Sequence, residues 1–281
     1  MDTLVSTEWL SQHLDDPDLV LLDCSVYQQP KEGGGFYNVS GQTEYEGGHI
    51  PTAGFADLKG DLCDSNSPIE FAMPTAEQFC AAMGALGVGD NSRVVLYDTK
   101  YTAWAARVWW MLRWVGFDQA ALLDGGFNAW RAEGRPLSTA LPQRPAKHLT
   151  PAPRPELIAD QNEVLAGIDD DTVSLIDTLP EPFYRGEAAI YARPGHIPGA
   201  SNICALDLLN ESGCYRPDSE LAAIHQGDRS ARTITYCGGG IMASSSAFIL
   251  HRLGFTNVAV YTASLQEWAA DPSKPMVVDT P

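Results

Sequence analysis

The residues best suited to chemistry lie in one short run, Cys237-Gly238-Gly239-Gly240-Ile241-Met242-Ala243. A thiol followed by three glycines suits a sulfur nucleophile. Glycine lets the backbone curl through positive φ, so successive N–H groups can converge on one point. The run leaves a β-type segment ending at Tyr236 and enters a helical pattern that puts Ala243, Ala247, Leu250 and Leu253 on one face. The positive end of that helix adds to the amide donors. Cys237 is therefore expected to ionise near neutrality. The same donors can hold a second sulfur or an oxyanion. A cysteine that only closed a buried strand would not need a glycine nest. Three glycines drawn into a helix would cost about 1 kcal/mol each.

The elements that must position this run occur twice. Gly48-His49-Ile50-Pro51 recurs as Gly195-His196-Ile197-Pro198. The strand-like runs ending at Asp23 and Asp98 parallel those ending at Asp177 and Cys237. Helical stretches close in Gly116-Phe117 and again in Gly254-Phe255, and LLDGGFNAW, ending at Trp130, parallels VYTASLQEW, ending at Trp268. The order is kept and the offsets drift slowly, as in two copies of one domain. Near-continuous apolar runs alternating with helical patterns predict an α/β class, with two tandem domains that each hold a central, mainly parallel sheet flanked by helices. The expected bounds are 1–138 for the first domain and 156–281 for the second. The Pro-rich stretch 139–155 between them reads as a semi-rigid linker.

Only one copy is equipped for thiol chemistry. Asp98 stands where the second copy has Cys237, and Thr99-Lys100-Tyr101 follows in place of glycines. The first domain should be catalytically silent. Trp104, Trp109, Trp110 and Trp114 fall on a helical pattern and read as core or domain-interface residues rather than a cofactor box. His49 and His196 occur in both copies, so a structural turn explains them better than catalysis. Asp23 and Asp177 read the same way. Cys24, Cys63, Cys80, Cys204 and Cys214 have no glycine nest, although Cys204 or Cys214 could resolve a persulfide if the fold brought one near.

Taken together, GGHIPTA and PGHIPGA, AARVWWMLRWVGF with LLDGGFNAW, the silent Asp98 and the CGGGIMAS run resemble a two-domain sulfurtransferase of the rhodanese family, which includes thiosulfate and 3-mercaptopyruvate sulfurtransferases. The resemblance covers nearly the whole chain. It implies two rhodanese-like domains, with Cys237 as nucleophile and Gly238, Gly239, Gly240, Ile241, Met242 and Ala243 as the loop that binds substrate and persulfide. It also implies double displacement. The thiolate takes sulfur from thiosulfate or 3-mercaptopyruvate and passes it to a thiophilic acceptor such as cyanide, a small thiol or a protein thiol. No metal and no organic cofactor is required by that chemistry. In mercaptopyruvate-type loops a Ser stands where this chain has Gly239, and a Thr where it has Met242. Family members bind the anionic donor with an Arg before the second GHIP. The usual spacing is not met here, and Arg185 and Arg193 are the nearby candidates.

Composition narrows the alternatives. The 281 residues carry 18 Lys and Arg against 36 Asp and Glu, a net charge of -18. Binding to nucleic acid is not expected. An anionic donor must enter against this field, which favours at least one Arg at the site. No run is long and apolar enough to span a membrane. The opening residues lack the features of a secretory signal, and six cysteines are too sparse for a disulfide framework, so a cytoplasmic location is expected. A Cys-dependent phosphatase closes its loop with Arg six residues after the Cys; here that residue is Ala243. A persulfide relay between proteins needs the same thiolate and stays open on sequence alone.

Overall fold

The computed structural model describes residues 1–32 and 35–279. The chain forms two compact units. The first comprises Met1–Asn66, Met73–Arg154 and Glu211–Tyr215; the second comprises Ser67–Ala72, Pro155–Asn210 and Arg216–Pro281.

The first unit contains strands β1 (Leu4–Val5), β2 (Leu19–Asp23), β3 (Val26–Pro30), β4 (Phe36–Ser40), β5 (Gly54–Phe55), β6 (Arg93–Tyr97) and β7 (Ala120–Leu123). Its helices are α1 (Thr7–His13), α2 (Gln42–Gly47), α3 (Ala76–Ala85), α4 (Ala103–Trp114) and α5 (Gly126–Ala132). Five strands make a parallel sheet in the order β1-β7-β6-β2-β5, and β3 and β4 pair separately as an antiparallel hairpin. All five residues of β2 are buried, as expected of a strand covered on both faces. Trp104, Trp109 and Trp110 of α4 are buried, and Trp109 Nε1 donates to the Ala120 carbonyl at 2.9 Å. They serve packing. The Pro-rich stretch lies along this unit, with Lys147, Ala152 and Arg154 donating their N–H groups to the carbonyls of Gly84, Val115 and Trp114.

The second unit repeats the plan. Its strands are β8 (Ile158–Ala159), β9 (Val173–Asp177), β10 (Ser201–Asn202), β11 (Arg232–Tyr236) and β12 (Val258–Tyr261), all parallel in the order β10-β9-β11-β12-β8. Its helices are α6 (Gln161–Gly167), α7 (Glu181–Tyr184), α8 (Asp218–Ile224), α9 (Ile241–Arg252) and α10 (Ser264–Trp268).

The repeats noted in the sequence do the same work in each unit. Tyr97 Oη accepts from the Ile50 N–H at 3.4 Å, and Tyr236 Oη accepts from the Ile197 N–H at 3.1 Å. His49 stacks on Tyr45 and His196 on Tyr184. The His49 backbone pairs with Ser138, and that of His196 with Val277. Trp130 and Trp268 are fully buried, each donating Nε1 to a proline carbonyl, of Pro136 and Pro275 respectively. Both histidines are held as parts of a turn, in agreement with the structural reading. Among the described residues no helix is long and apolar enough to cross a membrane.

Candidate active site at Cys237

Strand β11 delivers Cys237 at its carboxyl end, where ligands bind in open parallel sheets. The side chain is buried, and the Gly240 N–H donates to its Sγ at 3.1 Å. Helix α9 begins at Ile241, so Ile241, Met242 and Ala243 form its first turn and the loop proper is Gly238–Gly240. The positive end of α9 is thus one residue beyond the amide that meets the sulfur.

The three glycines have different reasons. Only Gly240 has the left-handed conformation, at φ +79°. Gly238 and Gly239 are there for space. A Cβ on Gly238 would lie 1.6 Å from the Tyr191 hydroxyl oxygen, and one on Gly239 would lie 2.2 Å from Gln266 Nε2. The expectation that all three supply positive φ is therefore corrected: one shapes the turn, and two let neighbouring side chains approach.

The loop is clamped from α10. The Leu265 N–H donates to the Cys237 carbonyl at 3.1 Å, and the Gln266 N–H donates to the Gly238 carbonyl at 2.9 Å. Ser264 Oγ accepts from the Cys237 N–H at 3.1 Å and donates to the Tyr261 carbonyl at 2.6 Å. To do so Ser264 takes φ +53°, a strained value for a residue with a side chain. The Gln266 amide reaches the Glu70 backbone, accepting from its N–H at 3.0 Å and donating to its carbonyl at 3.3 Å. Ser264, Gln266, Glu70 and Tyr191 were all missed in the sequence. For Ser264 a signal existed: the matching position in the repeat is Gly126, also left-handed, at φ +55°.

Tyr191 is pushed well above its ordinary range, first by burial and then by negative charge at Cys237, Glu70 and Asp177. Its hydroxyl is held neutral. Asp177 ends β9 and accepts from the Leu179 N–H at 2.9 Å, and burial raises its carboxyl to about 7.

Neither arginine singled out in the sequence hydrogen-bonds to the Cys237 loop. Arg193 donates to four backbone carbonyls, those of Trp268, Ala269, Asp271 and Lys274, at 2.6 to 2.9 Å. Its guanidinium serves the carbonyls at and beyond the end of α10, which need donors. Arg185 is paired with Glu187 at 3.2 Å and Glu181 at 3.6 Å. It lines a cavity of about 880 Å³ together with Glu181, Asp207 and Asp279, and Cys237 is not part of that wall.

In the first unit Asp98 stands at the strand end that matches Cys237. Its carboxylate accepts from the N–H groups of Lys100, Thr102 and Ala105 at 2.8, 3.1 and 3.0 Å. The loop amides are spent on the protein's own carboxylate. Burial nevertheless raises that carboxyl to about 7 against the pull of these donors.

A doubled parallel α/β unit, with a thiol at one strand end and a carboxylate at the other, defines a tandem-repeat protein with one cysteine site. The chain matches the Rhodanese-like domain family twice, over residues 6–133 and 160–271, and it belongs to that family. It is 32% identical to the probable 3-mercaptopyruvate sulfurtransferase of Pseudomonas aeruginosa over 97% of both chains. It is 33% identical to the human 3-mercaptopyruvate sulfurtransferase over 94% of this chain and 91% of that one. The crystal structure of SseA from Escherichia coli, described with the rhodanese fold and mechanism of 3-mercaptopyruvate sulfotransferases, superposes with a TM-score of 0.82 at 30% identity, covering 94% of this chain and 99% of that one.

Proposed function

We propose that this chain is a sulfurtransferase that carries sulfur as a persulfide on Cys237, with thiosulfate or 3-mercaptopyruvate as donor. The observation that carries the assignment is the Gly240 N–H aimed at a buried Cys237 Sγ, at a strand end, in a chain that matches sulfurtransferases along nearly its whole length. The Cys237 thiolate attacks the donor's transferable sulfur, the outer sulfur of thiosulfate or the thiol sulfur of 3-mercaptopyruvate. With thiosulfate, the S–S bond of the donor breaks and sulfite leaves with the electron pair. With 3-mercaptopyruvate, the C–S bond breaks and pyruvate leaves as its enolate, which takes up a proton. An acceptor nucleophile then attacks the outer sulfur, and the pair returns to Cys237 Sγ. Splitting the transfer in two avoids bringing donor and acceptor together. The amide at Gly240 and the first turn of α9 stabilise negative charge on the sulfur throughout. Cyanide, small thiols and protein thiols are acceptors of the right chemistry. The six cysteines are thiols rather than disulfides, which suits a reducing compartment such as the cytoplasm.

The test is thiocyanate formation from each donor plus cyanide, with Cys237→Ser as control. Turnover that vanishes in the variant supports the reading. The ratio of kcat/KM for the two donors identifies the preferred one. Turnover that survives in Cys237→Ser moves the chemistry to another group.

A further inference from the structure

The run Cys237–Ala243 contains only Gly, Ile, Met and Ala after the thiol. Its polar hydrogens are backbone amides, and no side chain within it can donate. A hydroxyl reaches it from elsewhere. Tyr191 lies between α7 and the second GHIP turn, far from the loop in sequence. Its oxygen and Cζ lie 1.6 and 2.4 Å from where a Cβ on Gly238 would stand. Phenol and glycine thus share one side-chain volume directly after the reactive cysteine.

Among the described residues no other protein group takes that hydroxyl's hydrogen bond, and the side chain is partly exposed, so its O–H can turn toward the loop without breaking a bond within the protein. A phenol in this environment keeps its proton at neutral pH, because burial and nearby negative charge both oppose its loss. A neutral O–H packed against Gly238, the residue next to a sulfur that turns anionic, is a donor within one residue of that charge. Donors held in place by the fold act most strongly where charge develops.

We propose that Tyr191 is a catalytic residue, donating its hydroxyl hydrogen bond to the outer sulfur of the Cys237 persulfide and to the donor's leaving group as negative charge appears there. The proposal rests on the persulfide reading of Cys237. Tyr191 keeps its proton in both half-reactions. In the first, the new S–S bond forms at Cys237 and the donor's bond to that sulfur breaks, the pair leaving with sulfite or the enolate. In the second, the acceptor takes the sulfur and the pair returns to Cys237. Tyr191 supplies, from outside the loop, the side-chain hydroxyl that the loop lacks. Gly238 is the residue that makes room for it.

The experiment is single-turnover loading and discharge, read by intact mass as gain and loss of one sulfur atom on Cys237. Wild type and Tyr191→Phe are each mixed with donor, then with cyanide. Phenylalanine keeps the ring against Gly238 and removes only the hydroxyl. The expected result is loading about 10²-fold slower, with donor KM little changed and the thermal midpoint retained. Loading and discharge at wild-type rates overturn the proposal. If Tyr191→Phe folds poorly, a polyfluorinated tyrosine at position 191 decides, because its phenol ionises at a markedly lower pH. Loading that fails above the new phenol pKa and recovers below it supports a neutral donor; a pH profile identical to wild type overturns it. Wild type that gains no sulfur on Cys237 from either donor overturns the persulfide reading itself, and the Tyr191 role with it.

Discussion

Gln266 occupies the space that a side chain on Gly239 would need. Its Nε2 lies 2.2 Å from an ideal Cβ there, and the same amide grips the Glu70 backbone. Gly239 lacks a positive φ, so alanine suits its backbone and the clash is purely one of space. Gly239→Ala should therefore displace the Gln266 amide and lose both bonds to Glu70. The expected cost is about 1 kcal/mol, after the gain from stiffening the unfolded chain. Gln266→Ala removes the obstacle. The double variant should then be more stable than the two single changes predict by at least about 0.5 kcal/mol. Urea unfolding of the four proteins checks this, and strict additivity would refute the contact.

Ser264 offers a sharper test of the clamp on Cys237. Its Oγ is the acceptor for the Cys237 N–H and is held by the Tyr261 carbonyl. Ser264→Ala leaves a buried N–H without its partner, at a cost of about 1–3 kcal/mol. It also removes what holds the thiol's own backbone. Ser264→Ala is expected to melt lower and to turn over more slowly. Ser264→Gly relieves the strain at φ +53° while losing the same bond. It should recover part of the stability and none of the rate. Thermal midpoints and kcat for the two variants separate these contributions.

These residues also mark where the sequence stopped being informative. The Cys237 loop could be read because an apolar strand, a thiol and three glycines are contiguous, and the repeat exposed Asp98 as its silent counterpart. The parallel sheets followed from runs such as β2 that are apolar up to a closing Asp. What lay beyond reach is what the loop meets through space. Tyr191 is 46 residues before Cys237 by their numbers, and Glu70 lies in the other half of the sequence. No local pattern joins them. Nor could sequence tell which role Arg193 plays: an arginine near an anion site and one that binds the exposed carbonyls of a helix end look alike until the fold is known. The purpose of Gly238 and Gly239 was misread likewise, since sequence cannot separate a glycine needed for φ from one needed for space.

Arg193 should behave as a structural residue. Its planar fork reaches four carbonyls in different directions, a pattern a single ammonium cannot reproduce. Arg193→Lys is expected to lose roughly 1–3 kcal/mol of stability, as charged hydrogen bonds are removed. At a temperature where the variant stays folded, its KM for an anionic donor should match wild type within about twofold. A KM raised about tenfold, with stability unchanged, would return Arg193 to the substrate.

Asp177 gives a pH dependence with a definite sign. Burial raises its carboxyl to about 7, against about 3.9 in an unfolded chain. The folded state therefore holds this proton more tightly than the unfolded state. Its contribution is full below about pH 4, declines as pH rises, and is gone above about pH 7. Asp23, raised to about 6, and Asp98, raised to about 7, act in the same direction in the first unit. Asp177→Asn keeps an oxygen for the Leu179 N–H and cannot ionise. The thermal midpoint of the second unit should then fall less between pH 5 and pH 8 in the variant than in wild type. The full difference is a few kcal/mol at most, since each tenfold change in proton affinity is worth about 1.4 kcal/mol. Calorimetry across this range reads the two slopes directly. Parallel curves would mean that Asp177 is already ionised in the folded protein, with Tyr236 or solvent compensating its charge.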